Sequence, residues 1–227
     1  MELEKPAAPS SPIRVRGDLD PALSRWLWLV KWLLAIPHYV VLFFLHIAYA
    51  VLTVVAFVAI LVTGRYPRRL FDFNVGVMRW GWRVTFYALS VLGTDKYPPF
   101  SLQPNAEYPA DLEIDYPETL HRGLVLVKWW LLAIPHYLIV GAVVSGGIAV
   151  AGSDGDDWGG ASISLLSILL IVAVIALLFS ARYPQGLYDF VMGVNRWIIR
   201  VQAYASLMRD EYPPFRLDQG ARESDRT

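Results

Sequence analysis

The sequence predicts an all-α membrane protein built from a tandem duplicated unit. Each unit is expected to contain an interfacial helix, a transmembrane helix and a polar-striped amphipathic helix, with short peripheral β segments. Of the 227 residues, 56% are hydrophobic and only 18% are charged, which lies outside the usual range of soluble domains. The apolar residues are concentrated in long runs, and one pattern of rare residue types occurs twice in the same order.

The repeated pattern predicts an internal duplication. Trp-Leu-Leu-Ala-Ile-Pro-His-Tyr at 32–39 returns unchanged at 130–137, and Tyr-Pro-Pro-Phe closes each copy at 97–100 and 212–215. Ordered matches of Pro, His, Asp, Arg and Trp indicate two copies of one structural unit. The matches between these landmarks are Arg65-Tyr66-Pro67 with Arg182-Tyr183-Pro184, Asp72 with Asp189, Gly76 with Gly193, Arg79-Trp80 with Arg196-Trp197, Arg83 with Arg200, and Tyr87 with Tyr204.

The duplication divides the chain into two repeat units with short tails. We expect the first unit to cover residues 13–103 and the second to cover residues 104–217. The polar segments 1–12 and 218–227 are predicted to be disordered tails. Within the second unit, residues 145–162 form a Gly- and Asp-rich insertion without a counterpart in the first unit, which predicts a solvated turn.

Each unit is expected to begin with a short strand and an interfacial helix. Apolar and charged residues alternate at 13–16 and 112–115, which predicts strands that pair with each other or with the segments after Tyr-Pro-Pro-Phe. The next segments, 22–36 and 119–134, are rich in Trp and Leu and carry single charges. They are too short to cross a bilayer, so we expect them to lie at the membrane surface.

One long apolar run in the first unit predicts a transmembrane helix. Residues 39–62 contain no Lys, Arg, Asp or Glu. At about 1.5 Å per residue, this run is long enough to cross a hydrocarbon layer of about 30 Å. The insertion divides the equivalent run of the second unit into 137–151 and 161–180. We therefore expect a multi-pass protein.

Six residues mark the predicted interface and kink between these two helices. Proline ends or kinks a helix at the preceding residue, and Trp favours the headgroup region. We expect each histidine to bond a free carbonyl oxygen at the kink; a bis-imidazole haem or metal site is the alternative, although no further ligand lies nearby in the sequence. The six residues are Trp32, Pro37 and His38, and Trp130, Pro135 and His136.

A polar stripe is predicted along the last helix of each unit, at 70–92 and 187–208. At about 100° per residue, its members share one narrow face. A charge at the centre of a membrane helix costs at least about 2.5 kcal/mol, so the stripe must face protein, water or headgroups. The members are Asp72, Arg79, Arg83 and Tyr87, and Asp189, Arg196, Arg200 and Tyr204.

Three interpretations of the stripes are open. In the first, Asp72 and Asp189 neutralise arginines of the partner helix, for example through an Asp72 to Arg200 ion pair between the units. In the second, the four arginines bind anionic lipid headgroups through bidentate contacts. In the third, the stripes line a transport pathway.

The residue content disfavours several classes of function. The chain has no cysteine, which excludes disulfides, thiol chemistry and Cys-ligated metal centres. The motifs of serine hydrolases, zinc peptidases and phosphate loops are absent from the sequence, so we expect no enzyme, no catalytic residues, no metal and no cofactor. The formal net charge is zero and the basic residues form no patch, so a nucleic-acid partner is not expected.

Taken in order, Ala-Ile-Pro-His-Tyr, Gly64-Arg65-Tyr66-Pro67, the Gly-x-x-Arg-Trp pattern and Tyr-Pro-Pro-Phe resemble a bacterial membrane-protein family, domain of unknown function 4389. The resemblance extends over both copies, from about Val15 to Asp218, and Ala181 in place of Gly64 is a departure from it. It implies a plasma-membrane protein of a family found largely in actinobacteria. It implies no established activity and no catalytic residues.

These observations predict a non-enzymatic plasma-membrane protein that acts as a lipid-interacting or accessory scaffold component. Its expected partners are membrane lipids and other membrane proteins. The alternative is a small transporter or channel whose polar pathway is lined by both stripes. A transporter needs a water-accessible cavity between the stripes, whereas in a scaffold the stripes should be closed by ion pairs or face headgroups.

Overall fold

The computed structural model describes residues 11–145, 148–149, 162–163, 165–180 and 183–217, and this part of the chain is mostly helical. The strands are β1 (Ile13–Gly17), β2 (Ala110–Ile114), β3 (Ile148–Ala149) and β4 (Ser162–Ile163). The helices are α1 (Trp28–Leu34), α2 (Ile36–Thr63), α3 (Arg68–Ala88), α4 (Arg122–Val127), α5 (Ile134–Ser145), α6 (Leu165–Ser180) and α7 (Gln185–Ala205), with a π-helical segment at Lys128–Leu132.

The two alternating segments pair with each other. β1 and β2 form an antiparallel two-stranded sheet in which Val15 lies opposite Leu112. Buried and half-buried residues alternate along β1, as expected for a strand with one face on the core. The predicted tail 218–227 and most of the predicted tail 1–12 and insertion 145–162 lie outside the described residues.

The first helical segments differ from the prediction in where they begin and end. Pro37 does not end the helix that precedes it; it lies in the first turn of α2, where a residue without an N–H is tolerated. The break falls at Ala35, so α1 is shorter than the predicted interfacial helix. α2 is correspondingly longer than the predicted run, and it ends at Gly64 in the left-handed conformation, with φ of 72°.

The second unit has one additional residue before its repeated motif, and a π-helical turn accommodates it. Lys31 and His38 are seven residues apart, whereas Lys128 and His136 are eight apart. The wider turn at Lys128–Leu132 inserts one residue without ending the helical path. Lys128 and His136 therefore occupy surroundings equivalent to those of Lys31 and His38.

The two units interlock, because the first strand of each packs on the last helix of the other. The Nε–H of Arg79 in α3 donates to the carbonyl oxygen of Leu112 in β2 at 2.8 Å. Its counterpart, Arg196 in α7, donates from Nε to the carbonyl oxygen of Val15 in β1 at 3.2 Å. The accepting residues face each other in the sheet, so the two contacts are related by an approximate twofold axis.

The larger hydrophobic core joins the two units and includes residues of the sheet. It contains Ala56 and Ile60 of α2 together with their counterparts Ala173 and Leu177 of α6. α3 and α7 are largely buried, whereas α2 and α6 leave much of their surface exposed. By length and composition alone, two described helical segments could cross a membrane, Ile36–Thr63 and Arg122–Gly141.

Candidate functional site

The repeated motifs converge on two buried clusters, one in each unit. Their members come from segments far apart in the sequence: the helical segments at the start of the unit, the last helix of the unit and the segment that ends in Tyr-Pro-Pro-Phe. The first cluster consists of Lys31, His38, Trp80, Tyr87, Asp95, Tyr97 and Phe100. The second cluster consists of Lys128, His136, Trp197, Tyr204, Asp210, Tyr212 and Phe215.

A buried lysine is at the centre of the polar part of the first cluster. The Nζ of Lys31 donates to the carbonyl oxygen of Thr94 at 2.7 Å and lies 2.7 Å from Oδ1 of Asp95. It also lies 5.3 Å from the ring centroid of Tyr87. Burial lowers the pKa of Lys31, and Asp95 opposes that shift. Lys31 is therefore buried, whereas the neighbouring Trp32 is exposed.

The second cluster repeats the arrangement. The Nζ of Lys128 lies 2.8 Å from Oδ1 of Asp210 and donates to the carbonyl oxygen of Arg209 at 3.0 Å. Asp210 also accepts a hydrogen bond of 2.7 Å from the backbone N–H of His121. Burial alone would raise the pKa of Asp210, but the hydrogen bonds from Lys128 and His121 outweigh it, and the pKa lies below its ordinary value.

A leucine with a left-handed backbone conformation lies three residues before the aspartate of each cluster. Leu92 and Leu207 have φ of 53° and 66°, and both side chains are buried. A non-glycine residue in this conformation costs about 1 kcal/mol or more and persists where packing fixes it. The turns that these leucines form bring Asp95 and Asp210 to the buried lysines.

The sequence prediction missed both lysine–aspartate pairs, although a signal for them was present. Lys-Trp occurs at 31–32 and at 128–129, and an Asp stands two residues before each Tyr-Pro-Pro-Phe. The additional residue in the second copy hides the first of these matches, because it shifts Lys128 by one position against the repeated motif.

The aromatic part of each cluster encloses a histidine. His38 has no exposed surface, stacks on Phe100 at 3.9 Å between ring centroids, and accepts a 3.0 Å hydrogen bond from Nε1 of Trp80. His136 is likewise buried and stacks on Phe215 at 4.3 Å. The clusters thus hold the Tyr-Pro-Pro-Phe segment against the first helices of the unit.

The prediction that these histidines bond a free carbonyl oxygen at the kink is wrong. The carbonyl oxygens at the break, those of Ala35 and Ala133, accept from the backbone N–H groups of Tyr39 and Tyr137 at 3.0 and 2.9 Å. Within the described part of the chain, neither histidine forms a hydrogen bond with a carbonyl oxygen. Among the described residues, no group of three or more metal-binding side chains is present.

The stripe arginines of the first unit bind an aspartate that the stripe did not include. Asp111 of β2 lies 3.1 Å from Nε of Arg79 and 3.1 Å from Nη2 of Arg83. The side chain of Arg83 has no exposed surface, and it also donates to the carbonyl oxygens of Ser101 and Gln103. Burial lowers the pKa of both arginines, and Asp111 opposes that shift.

The predicted ion pair between Asp72 and Arg200 is not formed. Asp72 pairs with Arg68, one turn earlier in the same helix, at 3.2 Å, and its side chain is 57% exposed. Asp189 accepts from Nε2 of Gln185 at 2.9 Å, also one turn earlier. Both aspartates lie near the start of their helices, away from the buried arginines. The buried arginines of the first unit do form ion pairs between the units, but the acid is Asp111 of the second unit.

In the second unit the stripe arginines are buried in the same way. Arg196 has no exposed surface and donates to β1, and Arg200 donates to the carbonyl oxygen of Arg216 at 3.5 Å. Tyr204, like Tyr87, belongs to a lysine cluster. The arginines of both stripes therefore face the sheet and the chain segment after Tyr-Pro-Pro-Phe.

The glycine of the Gly-x-x-Arg-Trp pattern allows that segment to approach. A Cβ atom on Gly76 would lie 2.8 Å from Cβ of Leu102, and one on Gly193 would lie 3.0 Å from Cβ of Leu217. Only a residue without a side chain leaves room for the segment whose carbonyl oxygens the arginines bind. The repeated Gly and Arg are thus parts of one packing arrangement.

A cleft of about 620 Å³ opens at the start of α3, between the sheet and residues 102–104. Arginine side chains line it, but each is already paired with a carboxylate: Arg14 with Glu113, Arg68 with Asp72, and Arg79 with Asp111. An anionic ligand would have to compete with these carboxylates. The arrangement therefore gives little support to the headgroup-binding interpretation of the stripes.

Comparison with known proteins identifies one family. The family described as domain of unknown function (DUF4389) matches residues 25–101 and 160–216. No curated protein and no solved structure matches the chain. The first matched range contains the whole first cluster, and the second contains the residues that α7 and Tyr-Pro-Pro-Phe contribute to the second cluster.

Proposed function

We propose that this chain, which belongs to the DUF4389 family of unknown function, is a plasma-membrane protein. It is proposed to act without catalysis, as a lipid-interacting or accessory scaffold component. Membrane lipids and other membrane proteins are its proposed partners. The observation that carries the proposal is the exposure of large apolar side chains along α2, α5 and α6.

Exposed apolar side chains occur on all three of these helices. Phe43 and Phe44 of α2 are 62% and 64% exposed, and Leu138 of α5 is 70% exposed. α6 adds exposed Ile and Val side chains, and Trp32 and Trp130 are exposed beside them. Large contiguous apolar surfaces are rare on soluble monomers and mark contacts with lipid or protein. Trp side chains favour the boundary between headgroups and acyl chains.

The burial of the stripe arginines supports a scaffold rather than a transporter. A transport pathway lined by both stripes would need water-accessible arginines. Arg83 and Arg196 have no exposed surface. Arg83 donates to a carbonyl oxygen and to Asp111, and Arg196 donates to a carbonyl oxygen of β1. These buried arginines thus help to join the two units.

Membrane fractionation tests the proposal. The full chain is expected to remain in the membrane pellet after washing with alkaline carbonate and to require detergent for release. In sealed vesicles, the purified protein is expected to leave ion and solute permeability at the level of protein-free vesicles. A folded monomer in buffer without detergent would contradict the membrane assignment, and a protein-dependent flux would favour the transporter.

A further inference from the structure

The two faces of α2 differ along the whole length of the helix. At about 100° per residue, His38, Leu42, Ala56 and Ile60 fall on one face, and all four are buried. The opposite face is apolar and at least half exposed from one end of the helix to the other. It carries Val40, Ile47, Val51, Val54, Val58 and Val62.

α3 lies antiparallel along the buried face of α2. Nε1 of Trp80, late in α3, donates to His38 at the start of α2. Nδ2 of Asn74, earlier in α3, donates at 3.2 Å to Oγ1 of Thr53, farther along α2. The two helices therefore lie side by side over most of their length.

The sheet covers the opposite side of α3. Arg79 donates to Leu112 of β2, and Nε1 of Trp82 donates to the carbonyl oxygen of Arg16 in β1 at 2.9 Å. Both donors come from the middle of α3, and at about 100° per residue their mean direction around the helix is roughly opposite to that of the two α3 side chains that bond α2. The sheet, α3 and α2 thus form three successive layers, and the sheet lies level with the middle of α2.

The outer surface of the sheet is charged and open to solvent. Arg14 pairs with Glu113 at 3.1 Å and with Asp115 at 2.8 Å, and these side chains are 39%, 54% and 47% exposed. If α2 crossed a bilayer, these charges would lie at the depth of the hydrocarbon. Exposed charges are strongly unfavourable there.

Exposed arginines lie at both ends of the α1–α2 segment. Arg25 precedes α1, and Arg65 and Arg69 follow α2. Basic side chains are attracted to anionic headgroups. Their presence at both ends suits a helix whose two ends meet the same headgroup layer.

We propose that the protein lies in a single leaflet, with α2 parallel to the membrane plane. The inference rests on the proposed membrane function and specifies its geometry. The partner of the exposed face is the acyl-chain region of a leaflet that contains anionic lipids, and the charged sheet stays in the aqueous phase on that same side.

Single-cysteine labelling tests this geometry, and the absence of native cysteine makes the labelling specific. Trp26→Cys and Arg65→Cys place a thiol at exposed positions before α1 and after α2, and Glu113→Cys places one on the sheet. In sealed vesicles of one orientation, a membrane-impermeant maleimide is expected to label all three variants from the same side. Labelling of Trp26→Cys and Arg65→Cys from opposite sides would overturn the proposal.

A depth measurement gives a second, independent result. Spin labels on Val40→Cys, Val51→Cys and Val62→Cys, which share the exposed face, are expected to lie at similar depths by collision with oxygen and an aqueous nickel complex. A profile with Val51→Cys deep and the two ends shallow would overturn the in-plane arrangement. Loss of the protein from carbonate-washed membranes would instead reject the proposed function, so the two failures are distinguishable.

Discussion

Asp111→Ala is expected to lower the free energy of unfolding by about 4 kcal/mol, because removing one partner of a buried ion pair leaves an uncompensated charge. Asp111 has an 11% exposed side chain and is within 3.1 Å of both Arg79 and Arg83. Its loss leaves both arginines without the carboxylate and also removes a contact between the two units. Denaturant titration in detergent micelles measures the effect.

Asp72→Ala is the matched control for this variant. Asp72 also pairs with an arginine, but its side chain is mostly exposed and its partner Arg68 lies in the same helix. Exposed pairs contribute little, so we expect a change within about 0.5 kcal/mol. Equal losses for Asp72→Ala and Asp111→Ala would reject the assignment of Asp111 as the acid that holds the arginines.

Lys31→Met is expected to lower the free energy of unfolding by about 3 kcal/mol. The variant removes the hydrogen bond that Lys31 donates to the carbonyl oxygen of Thr94, and it removes the counter-charge of Asp95. Lys31 is almost fully buried. Removing one partner of a buried ion pair costs about 3 to 5 kcal/mol. The loss should be near the lower end of that range because Asp95 is partly exposed. The same titration in detergent micelles measures it.

Two further variants identify the source of that loss. Lys96→Met changes an exposed lysine in the same turn and is expected to alter stability by no more than about 0.5 kcal/mol. Lys31→Met combined with Asp95→Asn should recover part of the loss, because a neutral amide then replaces the carboxylate that has lost its counter-charge. Strictly additive losses would contradict a direct interaction between Lys31 and Asp95.

The helices were predictable because their signals are local. The charge-free run at 39–62 is contained in α2, and the predicted striped helices at 70–92 and 187–208 correspond closely to α3 and α7. Pairing of the two alternating segments was one of the predicted arrangements. Periodicity and repetition are read along the chain, so they require no knowledge of which segments meet in space.

The partners of the buried charges were not predictable in the same way. Arg79 and Arg83 have Asp72 nearby in sequence, yet their acid is Asp111, which reaches them through β2 of the other unit. The position of His38 depends on Phe100 and Trp80, which come from two later segments. Such contacts are set by the tertiary arrangement of α3, the sheet and the segment after Tyr-Pro-Pro-Phe.

The arrangement of the sheet, α3 and α2 in layers also bears on whether the apolar helix α2 crosses a membrane. α2 passes the length and hydropathy criteria for a membrane-crossing helix. Its packing against α3, with a charged sheet beyond, is the reason for the proposal that it lies parallel to the membrane plane. A long run of apolar residues makes contact with lipid possible, whereas the direction of the helix depends on what covers its other face.

The contrast between the two outer surfaces tests the account most directly. Spin labels on Val58→Cys in α2 and Arg14→Cys in the sheet can be compared in vesicles that contain anionic lipid. We expect the label at position 58 to collide with oxygen and to be protected from the aqueous nickel complex, and the label at position 14 to behave in the opposite way. Free access of the nickel complex to the label at position 58 would contradict the account.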